Sequence, residues 1–149
     1  MNNKKSLREK LITERQLITP DEAQEAADSL AKYLLEIITE NAKVAAYCAM
    51  RGEVDVNNLI KKLQIRGYAV ALPVVVPSSK ILKFLDCSGG EELLVGKYGI
   101  SCPQPHLPEI EPDVVIVPMV GFDDAGHRLG YVGGYYDATL ASLRNANNQ

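Results

Sequence analysis

The sequence is poor in the residues that build metal centres and disulfide frameworks. Among 149 residues it has three cysteines, Cys48, Cys87 and Cys102, and two histidines, His106 and His127. The cysteines are odd in number and far apart, and no two of them form a Cys-x-x-Cys pair. We therefore expect neither a disulfide framework nor a structural zinc site. A reducing, cytoplasmic setting is the simplest interpretation.

The sequence also lacks an excess of positive charge and long apolar runs. Sixteen Lys and Arg residues against nineteen Asp and Glu residues give a formal net charge of −3, which argues against nonspecific binding to nucleic acid. The longest apolar runs, such as residues 69–76, are too short to cross a bilayer, and the amino terminus does not resemble a secretory signal. We expect neither nucleic acid nor a membrane as a partner.

What the sequence does contain is enough apolar material for a folded core. Apolar residues make up 46% of the chain and charged residues 23%, a balance typical of globular proteins. A length of 149 residues suits one domain and hardly two. We therefore expect a single domain over residues 1–149.

Helical and extended patterns alternate along the chain. Apolar residues at helical spacing predict four helices, over residues 4–17, 20–38, 54–66 and 134–143. Continuous apolar runs predict four strands, over residues 44–50, 69–76, 81–85 and 114–117. Residues 88–112 are expected to be mostly irregular, with one helical turn near residues 91–94. Strands that are apolar on both faces and alternate with helices predict an α/β fold with a layered, mostly parallel open sheet flanked by helices.

The most informative segment lies between the last predicted strand and the last predicted helix. Gly130, Gly133 and Gly134 fall within five residues, so their backbone N–H groups can approach an anion, and the next helix adds the positive end of its dipole. Arg128 adds a guanidinium suited to phosphate. The segment is neither a Walker A motif nor Gly-x-Gly-x-x-Gly. Glycine spacing alone leaves phosphate binding and a plain strand-to-helix turn equally open.

The whole string of residues 128–137, Arg-Leu-Gly-Tyr-Val-Gly-Gly-Tyr-Tyr-Asp, closely resembles the signature of the 5-formyltetrahydrofolate cyclo-ligases, also called methenyltetrahydrofolate synthetases. Residues 4–8 resemble that family's Lys-x-x-Leu-Arg nucleotide contact, and residues 52–55 its Gly-Glu-Val-Asp loop on the folate side. Residues 117–123 resemble the strand that leads into the signature. The resemblance covers essentially the whole chain and implies the family's fold, which is similar to that of the NagB, RpiA and CoA-transferase proteins.

The resemblance implies an ATP-dependent ring closure on a small-molecule substrate. The formyl oxygen of 5-formyltetrahydrofolate would take the γ-phosphoryl group of MgATP, and a neighbouring folate nitrogen would then attack. Phosphate would leave, and 5,10-methenyltetrahydrofolate would form. Such a protein aligns two substrates and neutralises phosphoryl charge. The implied cofactors are ATP and Mg²⁺.

The resemblance also assigns roles to individual residues. Arg128 and Lys4 would be the catalytic cations, and Asp137 would be the magnesium ligand, a role that suits a hard carboxylate oxygen. The folate would contact Cys48, Met50, Glu53 and Tyr135. The nucleotide would contact two segments, which are Lys4, Lys5, Ser6, Leu7 and Arg8 in the first and Arg128, Leu129, Gly130, Tyr131, Val132, Gly133, Gly134, Tyr135 and Tyr136 in the second.

The residue types alone leave ordinary alternatives open for these positions. Lys4 and Arg8 lie one helical turn apart and can point at one polyphosphate, but a solvated basic helix end has the same pattern. Glu53 has the alternative of an ordinary loop acid, Asp137 that of a surface or capping carboxylate, and Cys48 that of a small buried residue. One of the two tyrosines has the alternative of packing under the loop.

The sequence departs from the family pattern at two points. Val132 stands where bacterial members usually have the first of three glycines, and valine disfavours a positive φ. Family members usually continue for some tens of residues after the signature helix, so we expect C-terminal strands to be missing and a sheet edge to be open. The protein is expected to be a monomer unless self-association covers that edge. The alternatives to an active cyclo-ligase are a truncated, non-catalytic remnant that binds folate or nucleotide, and an unrelated α/β phosphotransferase.

Overall fold

The computed structural model describes residues 3–96, 99, 101–131 and 133–146. The helices within these ranges are α1 (Asn3–Arg15), α2 (Pro20–Ile37), α3 (Asn57–Ile65) and α4 (Tyr135–Ala146). The strands are β1 (Lys43–Ala45), β2 (Ala69–Val74), β3 (Lys83–Asp86), β4 (Leu94–Val95), β5 (Ser101–Cys102), β6 (Val114–Val115), β7 (Gly121–Phe122) and β8 (Arg128–Leu129). No helix in the described ranges has the length and apolar character needed to cross a membrane.

The four predicted helices are confirmed, and local hydrogen bonds explain where two of them begin. The Thr19 hydroxyl accepts a hydrogen bond from the backbone N–H of Glu22 at 3.2 Å, and the Glu22 carboxylate accepts one from the N–H of Thr19 at 3.1 Å. This reciprocal cap starts α2 at residue 20, where the predicted helix begins. The predicted start of α3 at residue 54 is wrong, because the Asp55 carboxylate accepts a hydrogen bond from the N–H of Asn57 at 2.8 Å and holds the preceding residues in a loop.

The main sheet has four strands in the order β3-β2-β1-β6. β1 is parallel to both β2 and β6, and only β3 runs antiparallel to its neighbour β2. The predicted α/β fold with a mostly parallel sheet is therefore confirmed. The predicted strands over residues 44–50 and 114–117 are too long, because the chain turns away from the sheet after Ala46 and Ile116, whose N–H groups make the last ladder bonds.

The sheet is covered on both faces, which explains the continuous apolar runs of its strands. Val44 of β1 and Val70 of β2 belong to the core cluster that contains Leu59 and Leu63 of α3. The next residues, Ala45 and Ala71, belong to a second cluster on the opposite face, against which residues of α4 pack. Because successive strand residues point to opposite faces, the fold has three layers with the sheet in the middle.

Two parts of the chain that were predicted to be irregular contain short hairpins. β4 pairs with β5 in an antiparallel manner, so the predicted helical turn near residues 91–94 is wrong. β7 pairs with β8 inside the segment that leads to α4. The turn between them is closed by Asp123, whose carboxylate accepts hydrogen bonds from the N–H groups of Ala125 at 3.0 Å and His127 at 2.8 Å.

Candidate active site

A cavity of about 340 Å³ opens at the carboxyl ends of the three parallel strands. Cys48 and Met50 reach it from the segment after β1, Val75 from the end of β2, and Val117 and Pro118 from the segment after β6. β1 lies between β2 and β6, so the chain segments that follow these strands separate at this edge of the sheet. In open α/β sheets, ligands bind at such a position. The other wall comes from residues 128–134, here named the signature segment, and from the first turn of α4. Its lining residues are Arg128, Gly130, Tyr131, Gly134, Tyr135, Tyr136 and Asp137.

Two glycines of the signature segment adopt backbone conformations that other residues disfavour. Gly133 has a φ of +139° and Gly134 a φ of +67°. A Cβ atom on Gly133 would lie 3.2 Å from the ring of Tyr135, closer than side chains normally pack. The glycines therefore allow the chain to turn tightly into α4, whose amino-terminal end faces the cavity. Val132 lies outside the described residues.

Arg128 and Asp137 form an ion pair at the wall of the cavity. Nη2 of Arg128 donates to Oδ1 of Asp137 at 2.7 Å, and the aspartate side chain is 78% exposed, so that it stays open to solvent on its other side. The pair joins β8 to the first turn of α4, where a carboxylate also interacts favourably with the helix dipole. The predicted phosphate contact and the predicted metal ligand are thus in contact with each other.

The described part of the chain holds no cluster of three or more residues that could ligate a metal ion. Mg²⁺ is commonly bound by one or two carboxylates and completed by substrate phosphates and water. Asp137, which is exposed and lines the cavity, has the donor atoms for that arrangement.

Helix α1 reaches the signature segment through an arginine. Nε of Arg8 donates to the carbonyl oxygen of Gly130 at 2.7 Å, although the two residues are 122 positions apart in the sequence. Lys4 is exposed and lies one turn earlier on the same helix. The residues of the predicted nucleotide contact that do not line the cavity are Lys4, Lys5, Ser6, Leu7, Arg8, Leu129 and Gly133.

Arg15 connects three segments around the cavity, a role that the sequence analysis missed. Its Nη2 donates to the carbonyl oxygen of Arg51 at 2.6 Å and to the hydroxyl of Tyr131 at 2.7 Å. Its Nη1 donates to the carbonyl oxygen of Met119 at 3.1 Å. One guanidinium therefore joins the end of α1 to the segments after β1 and after β6 and to the signature. Arg8 and Arg15 are two helical turns apart, so they lie on the same face of α1. This spacing is the signal in the sequence that could have drawn attention to Arg15.

Glu53 sits on a tight turn that brings it to the cavity. The N–H of Glu53 donates to the carbonyl oxygen of Met50 at 3.0 Å, and its Oε1 accepts a hydrogen bond from the N–H of Met50 at 3.0 Å. The two residues between them, Arg51 and Gly52, have φ values of +53° and +77°. The glycine of the Gly-Glu-Val-Asp segment thus serves the turn, and the half-buried glutamate lines the cavity.

Three tyrosine hydroxyl groups share the electrostatic environment of Glu53. Burial raises the pKa of Tyr47 to about 12 and that of Tyr136 well above its usual range, and the negative charge of Glu53 adds to both shifts. Burial also raises the pKa of Tyr131, with a further upward contribution from Glu53 and an opposing one from Arg15. These groups stay protonated at neutral pH and can serve as hydrogen-bond donors in the cavity. The hydroxyl of Tyr47 already donates a hydrogen bond to the carbonyl oxygen of Val54, with an O–O distance of 2.7 Å.

The predicted folate contacts all reach the cavity. Cys48, Met50, Glu53 and Tyr135 line it together with Tyr136. Burial raises the pKa of the Cys48 thiol, so this cysteine is a neutral, half-buried wall residue. The remaining lining residues, which were not predicted, are Tyr47, Arg51, Pro73, Val75, Leu82, Ser101, Val117 and Pro118. Several of them follow the carboxyl end of a strand, and this position could have indicated that they line a binding site.

The geometry is that of an α/β protein that binds small molecules beyond the carboxyl ends of its parallel strands. The family profile described as the 5-formyltetrahydrofolate cyclo-ligase family matches residues 1–149. The chain belongs to this family.

Individual relatives agree with the family assignment. The 5-formyltetrahydrofolate cyclo-ligase of Escherichia coli K12 is 33% identical over 142 residues, which cover 91% of this chain and 78% of the relative. That of Haemophilus influenzae is 33% identical over 156 residues, with 97% and 82% covered. The NMR structure of Aquifex aeolicus 5,10-methenyltetrahydrofolate synthetase matches with a TM-score of 0.81 at 29% identity, covering 95% of this chain and 73% of that one.

A second solved structure supports the fold alone. The 5,10-methenyltetrahydrofolate synthetase of Mycoplasma pneumoniae matches with a TM-score of 0.71 at 23% identity, and the match covers 93% of this chain and 77% of that one. The mostly parallel sheet with helices on both faces is therefore common to the chain and to these structures.

Proposed function

We propose that the protein converts 5-formyltetrahydrofolate to 5,10-methenyltetrahydrofolate with the hydrolysis of ATP to ADP and phosphate. In this reaction the formyl oxygen accepts the γ-phosphoryl group, a folate nitrogen attacks the formyl carbon, and the carbon–oxygen bond breaks as phosphate leaves. The observation that supports it most is the contact of Arg8 with Gly130. Because of it, a basic helix and a glycine-rich segment approach a cavity that also contains Glu53.

On the nucleotide side, the protein supplies positive charge and backbone donors. Lys4 and Arg8, one turn apart on α1, and Arg128 on β8 are the cations proposed to meet the phosphates. The backbone of Gly130, Gly133 and Gly134 and the amino-terminal end of α4 would add N–H groups. Catalysis of phosphoryl transfer requires chiefly this alignment and charge neutralisation.

Magnesium would be held by Asp137 and would help to neutralise phosphate charge. In the structure this carboxylate accepts a hydrogen bond from Nη2 of Arg128. We propose that nucleotide binding separates the pair, so that Arg128 turns to a phosphate and Asp137 to the ion. The two residues would thus hold each other in place until the anion and cation arrive together.

On the folate side, the protein supplies a carboxylate and several apolar side chains. The Glu53 carboxylate is proposed to accept hydrogen bonds from the N–H groups of the pterin ring, which suit a charged acceptor. Cys48, Met50 and the ring of Tyr135 or Tyr136 would pack against the flat ring system. The protein has free thiols at all three cysteines, which fits the reducing cytoplasm.

The proposal is tested with purified protein, MgATP and 5-formyltetrahydrofolate. We expect methenyltetrahydrofolate absorbance to appear with release of one ADP for each product molecule. Omission of ATP or of the folate should abolish the signal. Folded protein that forms no product at high enzyme concentration would refute the proposal. A ligand-induced rise in melting temperature without turnover would then identify a binding protein instead.

A further inference from the structure

Arg51 places a positive charge at the rim of the cavity. Arg51 lines the cavity, and the residue remains exposed to solvent. Within the described ranges, no carboxylate lies at ion-pair distance from its guanidinium. An arginine that faces both the cavity and solvent is therefore available to an anion that enters from outside.

The other charged groups of the cavity wall are already engaged. Arg128 is paired with Asp137 at 2.7 Å, and Glu53 accepts a hydrogen bond from the N–H of Met50. Of the two cations that line the cavity, Arg51 is thus the one without a carboxylate partner in the described part of the chain.

The backbone of Arg51 is fixed in a conformation that arginine seldom adopts. Its φ of +53° lies in the left-handed region, which costs energy for residues other than glycine. The turn is nevertheless held by the hydrogen bond between Glu53 N–H and the Met50 carbonyl oxygen and by that between Arg15 Nη2 and the Arg51 carbonyl oxygen, at 3.0 and 2.6 Å. The direction of the Arg51 side chain is thereby set by the same contacts that position Glu53.

We propose that Arg51 binds a carboxylate of the glutamate tail of the folate substrate. This inference rests on the proposed function, because it assumes that the ring system occupies the cavity near Glu53. The two tail carboxylates remain charged at neutral pH and are costly to bury, so the tail has to leave the cavity at its rim. An arginine guanidinium pairs well with a carboxylate through two parallel hydrogen bonds.

The test compares two forms of the substrate on the natural chain and on variants of Arg51 and Arg66. The ligands are 5-formyltetrahydrofolate and its derivative in which both glutamate carboxyl groups are amides. The proteins are the natural chain, Arg51→Asn, which removes the charge with a residue that tolerates a left-handed backbone, and the control Arg66→Ala, which removes an exposed arginine outside the cavity. Dissociation constants are measured by calorimetry, also for a non-hydrolysable ATP analogue.

We expect Arg51→Asn to weaken binding of the acid about 10- to 100-fold, the range for loss of a charge-assisted pair. Binding of the diamide and of the nucleotide analogue should change by less than about twofold, and Arg66→Ala should resemble the natural chain. A second variant, Arg51→Lys, should recover part of the affinity for the acid because it restores the charge.

Three results would overturn the proposal. Equal weakening of acid and diamide would show that the substitution only disturbs the turn. Weakening confined to the nucleotide analogue would assign Arg51 to the phosphates. Unchanged affinity for the acid would leave the residue without a role in binding.

The experiment also separates this inference from the proposed reaction. Calorimetry needs no turnover, so a natural chain that binds the folate acid through Arg51 but forms no product would refute the proposed function alone. A natural chain that fails to bind the folate would refute both.

Discussion

Arg128 is bound to Asp137 in the structure and is also proposed to bind a phosphate, so the two partners compete for one guanidinium. Replacing it with alanine removes a proposed phosphate contact, and we expect kcat/KM for ATP to fall by roughly one to three orders of magnitude. Arg128→Lys should retain part of the activity because it keeps a charge but not the planar fork. Steady-state kinetics with varied ATP measure the effect, and an unaltered ATP dependence would contradict the role.

Tyr47 contributes to the loss of stability that we expect at alkaline pH. Its pKa is raised to about 12, so between pH 10 and 12 the unfolded chain has lost a proton that the folded chain still holds. Stability from this group is therefore complete below about pH 10 and is lost as the pH rises toward 12. Urea unfolding at a series of pH values should show a loss on the order of 1 kcal/mol from this group.

The matched variants for this prediction are Tyr47→Phe and Tyr33→Phe. Tyr47→Phe should make the alkaline fall in stability shallower by the share of this one group, because Tyr131 and Tyr136 also have raised pKa values. Tyr33→Phe, at an exposed position, should leave the slope unchanged. Curves of equal slope for the natural chain and Tyr47→Phe would show that the buried hydroxyl does not control this range.

Helix α1 is an element fixed mainly by polar side chains, since none of its described residues is buried. Arg15 contributes contacts to Met119, Arg51 and Tyr131. We expect Arg15→Ala to raise KM for both ATP and the folate by about tenfold, because groups that are misplaced by even a short distance bind and react less well. Lys10→Ala, on the exposed face of the same helix, is the control, and an increase for one substrate alone would argue against a joint role.

Helix α4 is attached to the sheet through a buried hydroxyl. Oγ1 of Thr139 accepts a hydrogen bond from the N–H of Leu82 at 2.9 Å and donates to the carbonyl oxygen of Tyr135 at 2.6 Å. Thr139→Val keeps the shape but leaves the buried N–H of Leu82 without its partner, and should lower the free energy of unfolding by about 1–3 kcal/mol. Thr139→Ser should lose much less, and equal losses in chemical denaturation would exclude the hydroxyl as the cause.

At the scale of the whole molecule, the layers differ in how firmly they are held. The sheet, α2 and α3 share a buried core. Helix α1 has no buried residue among those described and is joined to the rest by hydrogen bonds of Arg8 and Arg15 and by Leu11, which packs against Gly121. We expect amide hydrogen exchange to be fastest in α1 among the helices, and a bound ATP analogue to slow it there more than in α3. Exchange in α1 as slow as in α3 without ligand would contradict this order.

Much of the fold could be predicted because local patterns and burial agreed. The Thr19-Pro20 helix start and the runs of valine and alanine predicted α2 and the parallel strands, since a sheet covered on both faces requires apolar residues at successive positions. The hairpin β7–β8 was missed because its strands are two residues long and its closure depends on the side chain of Asp123.

Motifs predicted part of the cavity wall, whereas contacts between distant segments were not predictable. Cys48, Met50, Glu53 and Tyr135 all line the cavity, and their contact with the folate stays a prediction. Arg15 and Arg51 were missed because their importance arises from contacts between segments that are 36 to 116 residues apart. The spacing of residues in the sequence does not predict such contacts.

The alternation along β1 has a consequence for ligand fit. Ala45 is fully buried in the cluster against which Tyr135 and Tyr136 pack, so its single methyl group acts as a spacer between the sheet and the first turn of α4. A bulkier side chain at this position would have to push that turn outward. The small size of Ala45 thus helps to set the depth of the cavity, although the residue itself need not contact a ligand.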